Sequence, residues 1–335
     1  MLPSAAMEHL AVRFNRCSPR EQAEQVANLA AAIGEEGAGH LRSAVRRKTA
    51  GESVELAGLL CRLDSGAAEE FLLAHVKELS RASQDRAVRL IAASGAPARC
   101  RILLRLLDRV DPLVMPLAID EIGLTGDRDA LEPMLAIVLG RLPEGGGPYL
   151  QVKAIEAAGR IRARESRKIL SEIAESRHLW QWTYPLEMRI AALQALEKVD
   201  PAWAREFVPR SGLNPEDLTL APLDAPALCK FVRQRRHTRV RFPKPILAVS
   251  TNLSANCRLE IKAASLTGGV ATSDRHLAPG TQVHLKLQVG LRHLVATAMT
   301  RDSRVQEMAF EFVDMNLDER SKFRRLLAVS GEMKA

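Results

Sequence analysis

Arg258-Leu259-Glu260-Ile261-Lys262-Ala263-Ala264-Ser265-Leu266-Thr267-Gly268-Gly269-Val270 holds the decision about the second half of the chain. From Arg258 to Ala264 polar and apolar residues alternate, the period of a strand with one buried face. Ser265 to Gly269 is then a Ser/Gly turn, and Val270 to Ser273 starts the return. Outward from this hairpin the same period recurs. Ile246 to Ser250 precedes it; Val283 to Val289, Leu294 to Thr300 and Met308 to Val313 follow, with the turn His276-Leu277-Ala278-Pro279-Gly280 between. Asn316 opens a final helix with Glu319 at the capping-box position and Phe323, Leu326 and Leu327 on its inner face. Six short strands closed by one helix predict a small β-barrel.

Upstream of the first strand lies Arg235-Arg236-His237-Thr238-Arg239-Val240-Arg241-Phe242, in a basic run from Lys230 to Lys244 that includes Arg233 and no acidic residue. Arginines at i and i+4, answered by a Ser-x-x-Gly turn, predict an anion-binding arrangement: guanidinium offers a planar donor fork suited to phosphate and to guanine edges. Glycine in the turn lets backbone approach a ligand. The charge balance agrees. From Leu213 to Ala335 there are 19 Lys/Arg against 12 Asp/Glu, whereas the rest of the chain has 29 against 28. A basic second half favours an anionic partner.

Residues 1–212 read as helix after helix, rich in Ala and Leu. A start is expected near Ser18, where Pro19 takes the first helical position. Leu56 to Leu63 and Phe71 to Leu79 form a pair around the turn Asp64-Ser65-Gly66. Similar pairs follow, and the spacing from Gly123 to Gly159 is 36 residues, from Gly159 to Glu197 38. That period, with two helices per unit, predicts an α-solenoid. Residues 213–229, with Pro215, Pro222 and Pro226, form the linker to a β domain at 230–335.

Two known families resemble parts of the chain. Val152-Lys153-Ala154-Ile155-Glu156-Ala157-Ala158-Gly159-Arg160-Ile161, and more loosely Met188-Arg189 with Ala191 to Val199, resemble the first helix of HEAT repeats over about residues 50–210. The β domain, about 230–330, resembles PilZ domains, the bacterial receptors of cyclic di-GMP. The residues that carry this are Arg235-x-x-x-Arg239, Ala263-x-Ser265-x-x-Gly268, Pro279-Gly280 and the Phe310-Glu311-Phe312 strand before a terminal helix. The resemblance implies that Arg235 and Arg239 clamp guanine and phosphate, that Ser265 hydrogen-bonds the ligand, and that Gly268 supplies the turn. Arg236, and further Arg233 and His237, would add contacts. The family's Asp or Asn is Ala263 here, which removes one hydrogen bond worth about 0.5–1.5 kcal/mol.

The expected function is a cyclic di-GMP-responsive adaptor. The dinucleotide orders the segment around Arg233–Arg241, and the helical repeats hold an unidentified protein partner. Two alternatives remain: a ligand-independent scaffold with a degenerate PilZ domain, and, less favoured, a non-specific nucleic-acid binder. His178-Leu179-Trp180-Gln181-Trp182-Thr183-Tyr184 concentrates aromatics in a chain with only 4% of them. Trp180, Trp182 and Tyr184 are candidate partner contacts, or they fill the groove under a long loop.

Catalysis is not expected. No His-Glu-x-x-His, Cys/His cluster or Gly-x-Ser-x-Gly elbow occurs, and Pro143-Glu144-Gly145-Gly146-Gly147-Pro148 lacks the Lys of a phosphate loop. No cofactor or metal is expected. Five scattered cysteines without a C-x-x-C pair suit a reducing cytoplasm. Met1–Phe14 holds no apolar run long enough for a signal peptide, and nowhere do 18 apolar residues follow one another, so neither a leader nor a membrane span is expected.

Overall fold

A computed structural model describes residues 3–16, 20–141, 147–214, 217–218, 239–251, 256–289, 292–303 and 307–332. The described residues fall into two compact units, the first running to Ala130 and the second taking everything from Leu131 onward. Composition changes character after residue 212 and packing divides the chain at residue 130, because the last helices before the barrel pack with it.

The first unit contains α1 (Pro3–Arg16), α2 (Arg20–Ala32), α3 (Glu35–Arg47), α4 (Ala50–Leu63), α5 (Ser65–His75), α6 (Arg81–Ala93), α7 (Arg99–Leu106) and α8 (Met115–Thr125). Local chemistry sets their ends. Thr49 and Glu52 form a reciprocal capping box at α4. The expected turn after α4 shrinks to one residue, since the Asp64 carboxylate accepts from the Ala67 amide at 3.0 Å and α5 can begin at Ser65. Successive pairs stack: α4 on α6, α6 on α8, and α5 on α7. Leu59, Leu60, Leu72, Ile91, Ile102 and Leu103 are buried between them.

The second unit opens with α9 (Leu131–Val138), α10 (Pro148–Ile161), α11 (Arg167–Glu175), α12 (Leu186–Val199) and α13 (Pro201–Phe207). A two-stranded hairpin, β1 (Arg177–His178) and β2 (Gln181–Trp182), links α11 to α12. The barrel follows: β3 (Val240–Ser250), β4 (Cys257–Ser265), β5 (Gly268–Ser273), β6 (Gln282–Val289), β7 (Arg292–Ser303) and β8 (Glu307–Asp314), then α14 (Leu317–Glu332). The sheet is antiparallel and closed in the order β3-β4-β5-β8-β7-β6, with β6 pairing back to β3. Each expected strand lies inside an observed one. Alternate residues point inward, so Leu259, Ile261, Val283, Leu285, Leu287, Phe310 and Phe312 form one core.

Two devices fasten α10 and α12 to the barrel. Tyr149 of α10 enters the barrel core, and its hydroxyl donates to the Phe312 carbonyl at 3.0 Å. Beside it, Arg320 of α14 donates to Glu156 at 2.7 Å and to Glu187 at 3.0 Å, while Arg324 grips Glu187 with two nitrogens. All four side chains are at most 3% exposed. Burial works against the Arg320 charge, yet Glu156 and Glu187 more than offset it, and its pKa stands above the ordinary arginine value.

The expected linker lies mostly outside the described residues. Its described beginning is held from both sides: Arg324 donates to the Asp217 carbonyl at 3.0 Å and Gln194 to the Leu218 carbonyl at 2.8 Å. Glu319 does not close a capping box. Its carboxylate accepts from the Val295 amide at 3.1 Å, and Asn316 alone caps α14 by accepting from Asp318.

A cationic groove on the barrel wall as candidate functional site

The outer face of the barrel carries the site, and two breaks in strand register create it. Arg241 pairs with Ala263, and regular pairing of β3 with β4 resumes only at Ile246–Ile261. Pro243 and Pro245 lie in the interval, and proline has no N–H to give to a neighbouring strand. On β4 a second register shift falls between Ile261 and Ala263, at Lys262. Bulges bend a strand and re-aim its side chains. Here they leave an open groove of about 660 Å³ whose apolar lining includes Phe242, Pro243, Pro245 and Val270.

The charged lining is Arg239, Arg241, Lys262 and Glu307. Arg239 immediately precedes β3, and Arg241 is its second residue. The row Arg241–Ala263–Val270–Ala309 crosses β3, β4, β5 and β8 on the solvent side. Lys262 reaches over β5 to Glu307, Nζ to Oε1 at 2.9 Å. Three cations against one carboxylate leave the groove with a formal excess of two positive charges. Its size and its mixture of apolar floor and few charged groups suit a small anionic ligand.

The sequence-based site residues are placed as follows. Arg239 and Ala263, one position from each motif, line the same groove. Arg233, Arg235, Arg236 and His237 lie outside the described residues. Ser265 and Gly268 face each other as the closing pair of the β4–β5 hairpin, two steps along the ladder from Ala263–Val270. Ser265 is only 4% exposed. Its hydroxyl lies 3.1 Å from Thr267 Oγ1, donates to the Gly268 carbonyl at 3.3 Å, and accepts from the Thr267 amide at 3.3 Å. The turn is pinned in turn to β8, whose Phe312 amide donates to the Thr267 carbonyl at 3.0 Å.

Gly268 has a structural reason to be glycine. Its φ is +152°, and a Cβ there would stand 2.2 Å from the Phe310 carbonyl oxygen and 2.8 Å from Glu311 Cα. Gly269 is confined as well, since a Cβ there would stand 2.5 Å from the Ala263 carbonyl oxygen. The pair lets β5 lie close against β4 and β8.

The aromatic segment divides into two roles. The Trp182 ring is sandwiched between guanidinium groups, Arg177 at 3.6 Å and Arg189 at 3.2 Å. Arg189 is buried and donates to the carbonyls of Ala174 and Ser211. Burial, followed by the nearby Arg177 charge, brings its pKa down to about 10. Trp180, by contrast, is 96% exposed at the hairpin tip beside Leu179, which is 82% exposed with φ +56°. Tyr184 is half-buried.

Lys262 and Glu307 escaped the reading of the sequence. Alternation around Met308 assigns Glu307 to the outer face, but nothing in local spacing says which strand it neighbours. Among the described residues no group of three or more His, Cys, Asp or Glu could hold a metal ion. No helix among them is long and apolar enough to cross a membrane. Neither a family model nor a curated protein matches this chain.

Proposed function

We propose that the chain is a bacterial cytoplasmic signalling adaptor in which a PilZ-like barrel binds cyclic di-GMP and HEAT-like helical repeats engage a protein partner. It is a receptor and not an enzyme. The observation that carries the proposal is the shared groove of Arg239 and Ala263. Two motifs two dozen residues apart in sequence converge on one cationic surface of a closed six-stranded barrel. The formal excess of two positive charges there complements the two phosphates of the ligand. Stacked helix pairs in the first unit support the repeat reading, and the exposed Leu179-Trp180 tip is the contact we assign to the protein partner.

Calorimetric titration with cyclic di-GMP tests the receptor reading. Wild type should bind at micromolar ligand or below. Arg239→Ala should weaken binding at least tenfold, and Arg235→Ala combined with it should abolish binding. Undetectable binding by wild type at high micromolar ligand would overturn the proposal.

A second reading is a ligand-independent scaffold. It is favoured by Ser265, whose hydroxyl is already engaged inside the hairpin, and by Ala263, which offers no side-chain acceptor. The same titration separates the two.

A further inference from the structure

We propose that Arg241 is a phosphate ligand of the groove, and that Ala263, by being small, leaves its guanidinium to the bound anion. The inference rests on the cyclic di-GMP reading for the identity of the ligand. It goes beyond that reading by assigning a residue outside both motifs that the resemblance rests on. Arg241 is the second residue of β3 and lines the groove with Arg239 and Lys262. Phe242 beside it is buried, so alternation turns Arg241 outward, where it is exposed. The groove's cations differ in what holds them. Lys262 is committed to Glu307 at 2.9 Å. Among the described residues Arg241 has no ion-pair partner.

Strand register supplies the reason. Arg241 stands directly opposite Ala263 on β4. Residues in that relation have Cβ atoms about 4.5–5.5 Å apart, so an Asp at 263 would form a cross-strand ion pair with Arg241. Alanine cannot. The residue that takes an acceptor out of the groove therefore also releases a donor. The lost acceptor is one hydrogen bond, whereas a guanidinium on phosphate is charge-assisted, about twice as strong, and bidentate. Arg239 lies two residues earlier, about 7 Å away along extended chain, so each guanidinium can face its own phosphate of the ring. A guanine O6/N7 edge also accepts an arginine fork. It carries no net charge, so salt dependence separates the two contacts.

The test is calorimetric titration of the full chain with cyclic di-GMP and with pyrophosphate, at about 0.05 M and about 0.5 M salt, using wild type, Arg241→Ala and Arg241→Lys. Arg241→Ala should weaken cyclic di-GMP about tenfold at low salt, and the gap should narrow to about threefold or less at high salt. Arg241→Lys keeps the charge and loses the fork, so it should weaken binding about threefold. Pyrophosphate should also bind Arg241→Ala more weakly than wild type. The thermal midpoint of the ligand-free variant should match wild type, because Arg241 has no ion pair to lose. If Arg241→Ala binds cyclic di-GMP as wild type does, Arg241 does not touch the ligand, and the receptor reading stands without it. A loss equally large at both salts would put Arg241 on a base edge and overturn the phosphate assignment. If wild type binds pyrophosphate through Arg241 and no dinucleotide, the receptor reading falls and the anion subsite stands. If it binds neither, both fall.

Discussion

Arg324 lies side-on to Glu187, with Nε 3.0 Å from Oε1 and Nη2 2.9 Å from Oε2. Arg320 donates to the same Glu187 carboxylate and to Glu156. A helix at the end of the chain is thereby tied to α10 and α12 through charges withdrawn from water. Such a pair adds little net stability over an apolar substitute, but breaking it strands a buried charge. Glu187→Ala should therefore cost about 3–5 kcal/mol in urea unfolding. Adding Arg324→Ala to that variant should recover part of the loss, since it removes one of the stranded cations. A Glu187→Ala cost under about 1 kcal/mol would mean that water reaches the network.

Gly268 tests the packing of the β4–β5 turn. A methyl group at this position would meet the Phe310 carbonyl and the Glu311 backbone, neither of which can move aside as a flexible side chain can. Gly268→Ala should destabilise the barrel by about 2–4 kcal/mol, near the upper end of overpacking costs. The loss should appear in thermal unfolding without any ligand present. Wild-type stability in this variant would show that β5 and β8 separate easily.

The barrel was legible because its strands have one buried face. Arg258 to Ala264 and Val283 to Val289 announce themselves by alternation, and both sit inside β4 and β6. The front of β3 was hidden. Pro243 and Pro245 read as strand breakers, and they are tolerated because that stretch is out of register with β4. The same irregularity that hid the strand opens the groove. Arg320 and Arg324 carry no local sign of their burial: at i and i+4 on a helix they suit a solvated face, and only partners more than 130 residues away bury them. Local pattern reports which face a residue takes, and it is silent about what lies opposite. Glu307 and Lys262 escaped for that reason.

Asp64 joins α4 to α5 and carries a pH signature. The Ala67 amide, then Arg42, holds its carboxyl below the ordinary aspartate value. A carboxylate with a lowered folded pKa gives its full stabilisation above the unfolded pKa, about 3.9, and loses it as pH falls through the folded pKa. Asp64→Ala should cost about 1–2 kcal/mol at pH 7 through the lost cap. The difference between variant and wild type should shrink steadily below about pH 4. A pH-independent difference would assign the effect to helix propensity alone.

Trp180 and Trp182 should separate cleanly in mutagenesis. Removing the Trp182 ring takes the apolar faces from Arg177 and Arg189, and Arg189 is 3% exposed. Trp182→Ala should lower stability by about 2–3 kcal/mol. Trp180→Ala should change it by less than about 0.5 kcal/mol, because the ring has no packing to lose. Equal losses in urea unfolding would show that the hairpin tip is covered in solution.

Ala263→Asp measures what lies over the centre of the groove. The residue sits on the outer face between Arg241 on β3 and Val270 on β5. If a guanine edge rests there, a new carboxylate adds a hydrogen-bonded contact and cyclic di-GMP should bind about three- to tenfold tighter, a gain of about 0.7–1.4 kcal/mol. If a phosphate rests there, the same carboxylate repels it and also competes for Arg239 and Arg241, so binding weakens. Ala263→Asn separates charge from hydrogen bonding: it should reproduce the gain over a base and be nearly neutral over a phosphate. Calorimetry on the two variants therefore reports by its sign which part of the ligand faces this strand. Tightening in both would put a base at residue 263, and weakening confined to Ala263→Asp would put a phosphate there.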